Sequence, residues 1–453
     1  MRDIIVIGGG FAGLSAACAL TERGARVTLL EARPTLGGRA TAYTDQQTGE
    51  RVDNGQHILI GAYRETFRFL RRLGTDHQLR IAPQLAVDMI DRAGRRSRLV
   101  CPPLPSPLHL LAGVFEWDAL RWRDRLSVLR LREPLAHAKA QLRGKTGRRA
   151  ASPGETVRQW LERNGQTPKL VEMLWEPLAV AALNQPIDQA AAEPFTRVLA
   201  LMFGSEPRDA AVALPIQPLD TLYAEPARAF VEAYGGRVLT QAPARVLVDG
   251  DVVSHVEARG ETFRAGAVIC ATPWYSLPEV LVTNFAPGPS PLAPVLEAAA
   301  KTAASPIVTV HIWFDRVVLD TPFVGLPGRV NQWVFDKREM FGESASHLST
   351  VSSGAASIVA RSNEELIDLA LYEIRDAIPQ TREAGVRRAT VVRERRATFS
   401  LAPGMPPRPA TRTPVKGLFL AGDWIDTGLP ATIESAVMSG HWAAEAVILD
   451  SDS

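Results

Sequence analysis

The stretch Asp3–Gly13, DIIVIGGGFAG, decides the fold of this chain. Asp3–Ile7 has the composition of a short buried strand, and Gly8, Gly10 and Gly13 follow it in the spacing G-x-G-x-x-G. Glycines with this spacing, between a strand and a helix, let the backbone and the helix N-terminus approach a pyrophosphate. The stretch therefore predicts the start of a dinucleotide-binding βαβ unit.

The residues that follow complete this unit. A helical stretch stops at Gly24, and Arg26–Leu30 is typical of a second strand that ends at Glu31. An acidic residue at this place accepts hydrogen bonds from a ribose hydroxyl and would repel the ribose phosphate of NADP. The unit therefore predicts NAD or FAD as the cofactor.

Composition and charge narrow the class of protein. The chain has 453 residues, is 46% hydrophobic and carries a net charge of +2, which suggests two or three domains and no general attraction to nucleic acid. Between Arg92 and Arg149, however, 14 basic residues face 4 acidic ones, a local excess of +10 that leaves −8 for the remainder. Such a block favours an anionic partner, and we expect lipid headgroups rather than nucleic acid.

The cysteines and the N-terminus indicate a location. Cys18, Cys101 and Cys270 form no CxxC pair, so no metal site is predicted and a reducing compartment is favoured. The chain begins directly with a strand, and no uncharged apolar run reaches about 18 residues. We therefore expect no signal peptide, no transmembrane helix and a cytoplasmic protein, placed peripherally on the inner face of the cell membrane.

The segment after Glu31 distinguishes FAD from NAD as the expected cofactor. EARPTLGGRATAY carries Gly37, Gly38 and Arg39, and here the sequence resembles the FAD-dependent amine oxidase and carotenoid desaturase superfamily. The resemblance implies an α/β fold with a Rossmann-type FAD-binding domain, and places Arg39 near the FAD pyrophosphate, which suits its fork of donors.

The C-terminal region resembles the same superfamily. Gly417–Ala421 is a predicted strand that ends at Gly422-Asp423, and a helix is predicted from near Thr432 to about Ile448. The resemblance implies a contact of Asp423 with the ribityl chain, a helix N-terminus directed at the flavin, and a backbone contact to adenine near Val246. The full set of implied FAD residues is Gly8, Gly10, Ala12, Gly13, Glu31, Ala32, Gly38, Arg39, Gly55, Gln56, Val246, Gly422, Asp423, Thr432 and Ile433.

These motifs lie far apart in the sequence, which predicts a discontinuous FAD domain. We expect it to comprise residues 1–84, 206–285 and 390–453. Residues 85–205 are predicted to form a mostly helical insert that faces substrate and membrane. Residues 286–389 are predicted to form a substrate-domain sheet and helix, in which His311 is interpreted as a structural residue of a strand.

A narrower resemblance rests on the stretch VDNGQHILIGAY at Val52–Tyr63. Together with PLPSPLHLL and TGLPATIES it resembles the squalene-associated FAD-dependent desaturases, known as hydroxysqualene dehydroxylases of bacterial hopanoid biosynthesis. The resemblance implies that reduced FAD delivers a hydride to hydroxysqualene, an isoprenoid lipid, as its hydroxyl leaves as water. The sequence does not identify the electron donor, which is either another protein or a transiently bound nicotinamide.

The leaving hydroxyl needs a proton donor, and His57 and Asp53 are the candidates. In an extended strand two residues four apart face the same side, so His57 would act as the acid and Asp53 would set its tautomer. Alternatively, His57 is held by backbone hydrogen bonds beside the flavin, and Asp53 only ends a strand or turn.

The basic insert contains a predicted amphipathic helix at Asp118–Glu133. Its apolar stripe includes Trp122 and Leu126, and its other side carries Arg121, Arg125 and Arg132. A basic amphipathic helix with tryptophan favours a membrane surface, and a solvated helix packed on the protein body is the alternative.

Two other functions share the FAD motifs. One is a carotenoid-type desaturase or isomerase, and the other is a non-catalytic, membrane-associated flavoprotein scaffold. Assay of the purified flavoprotein with hydroxysqualene discriminates among them.

Overall fold

The computed structural model describes residues 3–145, 148–204, 206–284, 290–343 and 346–451. The predicted βαβ unit is confirmed, since a strand, the helix Phe11–Thr21 and a second strand follow one another. These strands belong to a five-stranded parallel sheet. Its order is Arg237–Leu239, Arg26–Leu30, Asp3–Ile7, Ala267–Cys270 and Leu418–Leu420.

The C-terminal helix, Ile433–Ser451, packs directly on the first helix of the chain and confirms the predicted helix to within a few residues. The Ser15 hydroxyl donates to the Val437 carbonyl at 3.3 Å. A Cβ added to Gly440 would lie 2.2 Å from the Ala12 carbonyl oxygen, so this approach requires glycine. Two helices from distant parts of the sequence thus pack directly against each other.

A four-stranded sheet adjoins the parallel one. It consists of Glu261–Phe263, Val252–Ala258, Ala244–Asp249 and Leu281–Asn284. The first three strands are antiparallel neighbours, as the turn signals predict. Two small sheets pair Ala42–Thr44 with Arg51–Asp53, and join Leu59–Ile60, Val212–Pro215 and Leu79–Ile81.

A seven-stranded sheet forms the second large layer. Its order is Val386–Phe399, Ala304–Phe314, Ser346–Ser353, Trp333–Asp336, Phe323–Gly325, Ala86–Ile90 and Arg96–Val100. Val310 and Ile312 lie in a core cluster with residues of the helix Asn363–Ala377, which covers one face. Because side chains alternate along a strand, Thr309 and His311 face the opposite side.

The remaining α-helices surround these sheets. They are Arg64–Leu73, Leu108–Glu116, Trp122–Ser127, Arg132–Leu142, Val157–Arg163, Pro168–Leu170, Glu176–Leu183, Ala192–Met202, Glu225–Ala233, Leu277–Val280, Ala293–Lys301 and Lys337–Phe341. None of the described helices has the length and apolar character needed to cross a bilayer.

The prediction of one continuous helix at Asp118–Glu133 is wrong. The structure has a helix at Trp122–Ser127, a 3-10 turn at Val128–Leu131 and a new helix from Arg132. Pro134 lies in the first turn of that new helix, where its missing N–H costs nothing, whereas it would break a continuous helix.

Several apolar side chains of the insert are exposed to solvent. We call the following exposed residues of the insert the outer apolar face: Leu104, Leu108, Trp122, Leu126, Leu129 and Leu142. The side chain of Trp122 is 67% exposed. The Arg125 guanidinium stacks over the Trp122 ring in a cation–π contact, with its central carbon 5.1 Å from the ring centroid.

The predicted domain boundaries cut through elements of the seven-stranded sheet. Ala86–Ile90 and Arg96–Val100, from the predicted helical insert, pair with this sheet, and Val386–Phe399 spans the predicted boundary at residue 390. The division into domains stays a prediction.

Candidate active site

A large cavity of about 2,070 Å³ connects the glycine loop of the parallel sheet with the helical insert. Apolar side chains line much of the part between the seven-stranded sheet and the insert: Leu178, Ala182, Val198, Leu201, Met202, Phe323, Trp333, Phe335 and Val351. Leu142 of the outer apolar face and its neighbour Arg143 line the cavity where it meets the insert. The cavity therefore has a polar, glycine-rich end and an apolar end.

The glycine loop forms the polar end. A Cβ on Gly8 would lie 2.7 Å from the Ala271 carbonyl oxygen, and one on Gly13 would lie 1.9 Å from the Gly8 carbonyl oxygen. At Gly10 the nearest atom to such a Cβ among the described residues is Gly38 Cα, 3.9 Å away, so the loop surface is open there. Among the described residues no side chain caps the helix that follows, which leaves its first N–H groups available to an anionic ligand.

Glu31 lies at the rim of this loop and is buried. Its Oε2 accepts a hydrogen bond from the Gly9 N–H at 2.6 Å, and its Oε1 accepts one from the Arg33 N–H at 2.8 Å. Each carboxylate oxygen has a second lone pair, so both retain capacity for a ribose hydroxyl. The backbone thus holds the carboxylate ready for this contact.

An ion pair joins the two distant FAD motifs. Arg39 Nη2 donates to Asp423 Oδ1 at 2.6 Å, and Arg39 Nη1 donates to the Ala397 carbonyl at 2.7 Å. The Asn54 amide donates to the Arg39 carbonyl at 3.1 Å. Residues from three separate parts of the chain are thereby fixed around one wall of the cavity.

The C-terminal helix starts at the same wall. Thr432 Oγ1 accepts from the Ser435 N–H at 3.1 Å and caps the helix, whose first residue is Ile433. Gly422 has a φ of +142° and donates its N–H to the Ser439 hydroxyl at 2.8 Å. The helix N-terminus therefore faces the cavity beside the Gly422-Asp423 turn.

The structure brings most of the predicted site residues to this cavity. Those that line it are Gly8, Gly10, Ala12, Glu31, Ala32, Gly38, Arg39, Gly55, Gln56, His57, Gly422, Asp423, Thr432 and Ile433. Gly13, Asp53 and Val246 do not line it. Val246 is fully buried, and its neighbours Ala244 and Arg245 form the wall instead.

The prediction that Asp53 and His57 share the face of one strand is wrong. The strand Arg51–Asp53 ends at Asp53, and Gly55 has a φ of +93°, so the chain turns between the two residues. His57 lines the cavity with its Nδ1 free of any hydrogen bond to the described residues, whereas Asp53 does not line it. The structure therefore shows no bond by which Asp53 would set the tautomer of His57.

Asp53 instead pairs with Lys337, a residue that sequence reasoning missed. Lys337 Nζ donates to Asp53 Oδ2 at 2.7 Å and also to Gln56 Oε1, and its ammonium lies 4.5 Å from the Phe341 ring centroid. Both charged side chains are almost completely buried. This pair holds the stretch that carries Gln56 and His57 against the seven-stranded sheet.

The environment keeps His57 neutral. Burial lowers the pKa of its imidazole, the nearby Asp53 carboxylate acts in the opposite sense, and the Lys337 ammonium lowers it further. At neutral pH His57 therefore presents one N–H and one lone pair to its surroundings rather than a positive charge.

These features define an FAD-dependent oxidoreductase. The open glycine loop and uncapped helix fit a pyrophosphate, the fixed Glu31 carboxylate fits a ribose, and the helix that begins at Ile433 fits a flavin that becomes negative on reduction. The chain belongs to the flavin containing amine oxidoreductase family, whose model matches residues 11–448. The predicted FAD cofactor is thus confirmed.

Relatives with assigned names fall in more than one class. The chain is 27% identical over 467 residues to a 15-cis-phytoene desaturase of Arabidopsis thaliana. The alignment covers 99% of this chain and 80% of the relative. It is also 27% identical over 453 residues to the hydroxysqualene dehydroxylase of Zymomonas mobilis, with 97% of each protein covered. At these identities the broad family is clear and the particular reaction is not assigned.

Solved structures support the fold alone. An oxidoreductase from Methanosarcina mazei has a TM-score of 0.75 at 16% identity and covers 98% of this chain and 100% of its own. Putrescine oxidase has a TM-score of 0.72 at 19% identity, with 99% of each chain covered. Both confirm the predicted α/β architecture with a Rossmann-type domain.

The ribose contact of Glu31 is directly testable. We expect Glu31→Arg to purify with little or no FAD, because a donor would replace the acceptor and the Gly9 and Arg33 N–H groups would lose their partner. Loss of a charge-assisted hydrogen bond costs about 1.5–3 kcal/mol. Flavin absorbance per protein measures the effect, with Glu22→Arg, an exposed carboxylate on the same domain, as the control. Full flavin content in Glu31→Arg would contradict the assignment.

Proposed function

We propose that this protein catalyses the FAD-dependent reductive dehydroxylation of hydroxysqualene to squalene, in squalene and hopanoid biosynthesis. Reduced FAD supplies the hydride. The balance is one hydroxysqualene, one hydride and one proton giving one squalene and one water. The protein has to bind a long isoprenoid chain, exclude bulk water from the reacting carbon and provide the proton.

The observation that carries this proposal is the continuity of the cavity. It runs from the glycine loop past His57 to an apolar segment walled by the insert and the seven-stranded sheet. An extended hydrocarbon that lies along that segment, with one end near His57, would bury its apolar surface against the apolar wall. Such burial stabilises binding by about 25 cal/mol per Å² of apolar area.

The relatives support an isoprenoid substrate without choosing the reaction. The named hydroxysqualene dehydroxylase matches this chain over nearly the whole length of both proteins. The phytoene desaturases are equally similar in sequence, so a carotenoid-type desaturase or isomerase is the alternative reaction. A non-catalytic membrane-associated scaffold is the alternative of a different class.

One assay separates these three functions. We expect the protein with chemically reduced FAD to convert hydroxysqualene to squalene without oxygen, and the flavin to be reoxidised in step. Conversion of phytoene by the oxidised protein, without any squalene formation by the reduced one, would favour the desaturase. Bound FAD with neither conversion would favour the scaffold. The assay bypasses the electron donor, which neither sequence nor fold identifies.

We further propose that the outer apolar face rests on an anionic membrane, which would place the protein peripherally at the inner face of the cell membrane. The face combines six exposed apolar side chains with exposed arginines, among them Arg121 and Arg132. A helix surface of this composition suits the headgroup region of a bilayer. Leu142 belongs both to this face and to the wall of the cavity, so a lipid could enter from the membrane.

Vesicle binding tests this contact. Trp122→Ser with Leu126→Ser removes apolar anchors, and Arg121→Gln with Arg132→Gln removes two charges while Arg125 keeps its place on Trp122. At about 1 kcal/mol for each basic residue near an anionic surface, the charge variant should bind roughly 30-fold more weakly. Sedimentation with phosphatidylglycerol vesicles at low and high salt measures this.

The matched control is Tyr372→Ser. Tyr372 is 74% exposed on the helix that covers the opposite face of the seven-stranded sheet, so its loss should not change vesicle binding. Equal binding by the unmodified protein and both insert variants would contradict the membrane contact and favour a solvated surface.

A further inference from the structure

A row of buried polar groups crosses the inner face of the seven-stranded sheet. His311 Nδ1 lies 3.0 Å from His347 Nε2, and His347 Nδ1 lies 3.0 Å from Glu343 Oε2. Both imidazoles are completely buried, whereas the Glu343 side chain is 11% exposed. Thr309, two residues from His311 on the same face, lines the cavity. The row therefore runs from near the protein surface towards the cavity wall.

Three buried polar atoms have no hydrogen-bond partner among the described residues, and one of them belongs to the innermost histidine of the row. His311 Nε2, Asp53 Oδ1 and His57 Nδ1 are buried and form no hydrogen bond with the described residues. Lys337 Nζ donates to Asp53 Oδ2 at 2.7 Å, and its charge lowers the pKa of both imidazoles. Buried polar atoms are normally satisfied by ordered water, so we expect water to bridge His311 to the His57 wall.

The imidazoles in this row stay neutral. Burial lowers the pKa of His311 well below its usual value, His347 and Lys337 act in the same sense, and the Asp53 backbone opposes them. Burial and then Lys337 likewise hold the pKa of His347 well below its usual value, with Asp45 opposing. A neutral imidazole holds one proton and one lone pair, so it can receive a proton on one nitrogen while it gives one from the other.

Glu343 is the titratable group at the outer end. Burial raises the pKa of its carboxyl to about 7, with Lys337 lowering and Asp53 raising it. Glu50 also faces His347, at 3.8 Å from Nδ1, but its carboxylate accepts from Trp313 Nε1. The remaining charges here are paired, since Asp45 binds Arg388 at 2.7 Å.

We propose that Glu343, His347 and His311 form a proton path between the solvent side of the seven-stranded sheet and the His57 wall of the cavity. In the loaded state the Glu343 carboxyl donates to His347 Nδ1, His347 Nε2–H donates to His311 Nδ1, and His311 Nε2–H points inward. Delivery moves one proton along each bond. It leaves a Glu343 carboxylate and both imidazoles with the opposite tautomer, so a second delivery requires solvent to reload Glu343 and both rings to return to the Nε2–H tautomer.

The proposed path depends on the proposed function in one respect: the reaction consumes a proton. Reductive dehydroxylation takes up one proton for each hydride, and a desaturase would release one along the same row in reverse. His57 cannot store this proton at neutral pH because its environment keeps it uncharged. Glu343 titrates near neutrality, so through the row it can supply the proton that His57 does not hold.

The first test needs neither FAD turnover nor substrate. The chain has 8 histidines, so ¹⁵N-histidine-labelled protein gives a resolvable long-range NMR spectrum, with His311→Gln and His347→Gln for assignment. We expect the ring nitrogens of His347 and His311 to exchange tautomers with a midpoint near pH 7, where Glu343 loses its proton. Glu343→Gln should abolish this titration.

Glu50→Gln is the matched control, because it removes the other carboxylate beside His347 without touching the 3.0 Å bond. Its titration should resemble that of the unmodified protein. Tautomers that do not change between pH 6 and 8, or a change that survives in Glu343→Gln, would overturn the path. So would a stoichiometric divalent cation in the purified protein, because Glu50, Glu343 and His347 place donor atoms within 4.8 Å of one another.

The second test follows protons directly. Light-driven reduction of the bound FAD is accompanied by proton uptake, which a pH indicator records in weak buffer. Glu343→Gln removes the path and should slow this proton uptake by roughly 100-fold, the lower end of general acid effects. Glu50→Gln keeps the path and should leave the rate of uptake unchanged. Equal rates in all three proteins would overturn the path. Neither test uses hydroxysqualene, so failure of the proposed reaction would leave both results interpretable.

Discussion

A His57→Ala variant will retain its FAD but will turn over hydroxysqualene roughly 100- to 10,000-fold more slowly, the usual worth of general acid catalysis. FAD retention is expected because the Glu31, Arg39 and Gly10 contacts lie elsewhere along the cavity. Folding is expected because His57 is only half-buried and its Nδ1 bonds to no described residue. The variant therefore removes a proton carrier and little else.

Single turnover measures this effect without the electron donor. The flavin is reduced beforehand, hydroxysqualene is added without oxygen, and flavin reoxidation is followed by absorbance. Asp53→Asn, combined with Lys337→Met so that no buried charge is left alone, should slow the reaction much less than His57→Ala, because Asp53 does not line the cavity. A His57→Ala enzyme that reoxidises at the unmodified rate would remove His57 from the chemistry and leave it as a wall residue.

Lys337→Met will destabilise the protein by about 3–5 kcal/mol, the expected cost of leaving one partner of a buried ion pair uncompensated. The Asp53 carboxylate would remain in a site where its side chain is 4% exposed, with no other cation in hydrogen-bonding distance among the described residues. Urea denaturation measures the free energy of unfolding. The double variant Lys337→Met with Asp53→Asn should recover much of the loss, because the buried charge is then gone.

Lys416→Met provides the control for this prediction. Lys416 pairs with Asp251 at 3.2 Å, but the two side chains are 75% and 58% exposed. Exposed pairs of this kind contribute about 0–1 kcal/mol, so the control should unfold like the unmodified protein. If Lys337→Met were no less stable than Lys416→Met, the buried pair would not be what holds the His57 stretch in place.

The parts of the fold set by local patterns could be predicted from the sequence. The strand Asp3–Ile7 and the helix that begins at Ile433 were predictable because glycine spacing, an N-cap threonine and apolar periodicity act over a few residues. The FAD residues were predicted from the same motifs and from the family resemblance, and most of them line one cavity. The strand interpretation of residues 53–57 failed although its signal was present, since Asn54-Gly55 is a turn dipeptide.

Lys337 could not be predicted in the same way. It is separated from Asp53 by 284 positions, and no pattern within a few residues of either one indicates the pair. The same holds for His311 and His347, which the pairing of two long antiparallel strands brings together. A lysine directly after a strand is ordinarily solvated, so only the tertiary structure reveals its burial.

The contact between the first and last helices has a consequence for biosynthesis. Ser15 and Val437 are 422 positions apart, and at 5–20 residues per second a ribosome needs roughly 20–85 seconds to add the second after the first. Throughout that time the face of the nascent N-terminal helix that packs on the last helix lacks this partner. We therefore expect this face to be open to chaperones during synthesis, and truncation before the last helix to yield aggregated apoprotein rather than a shortened enzyme.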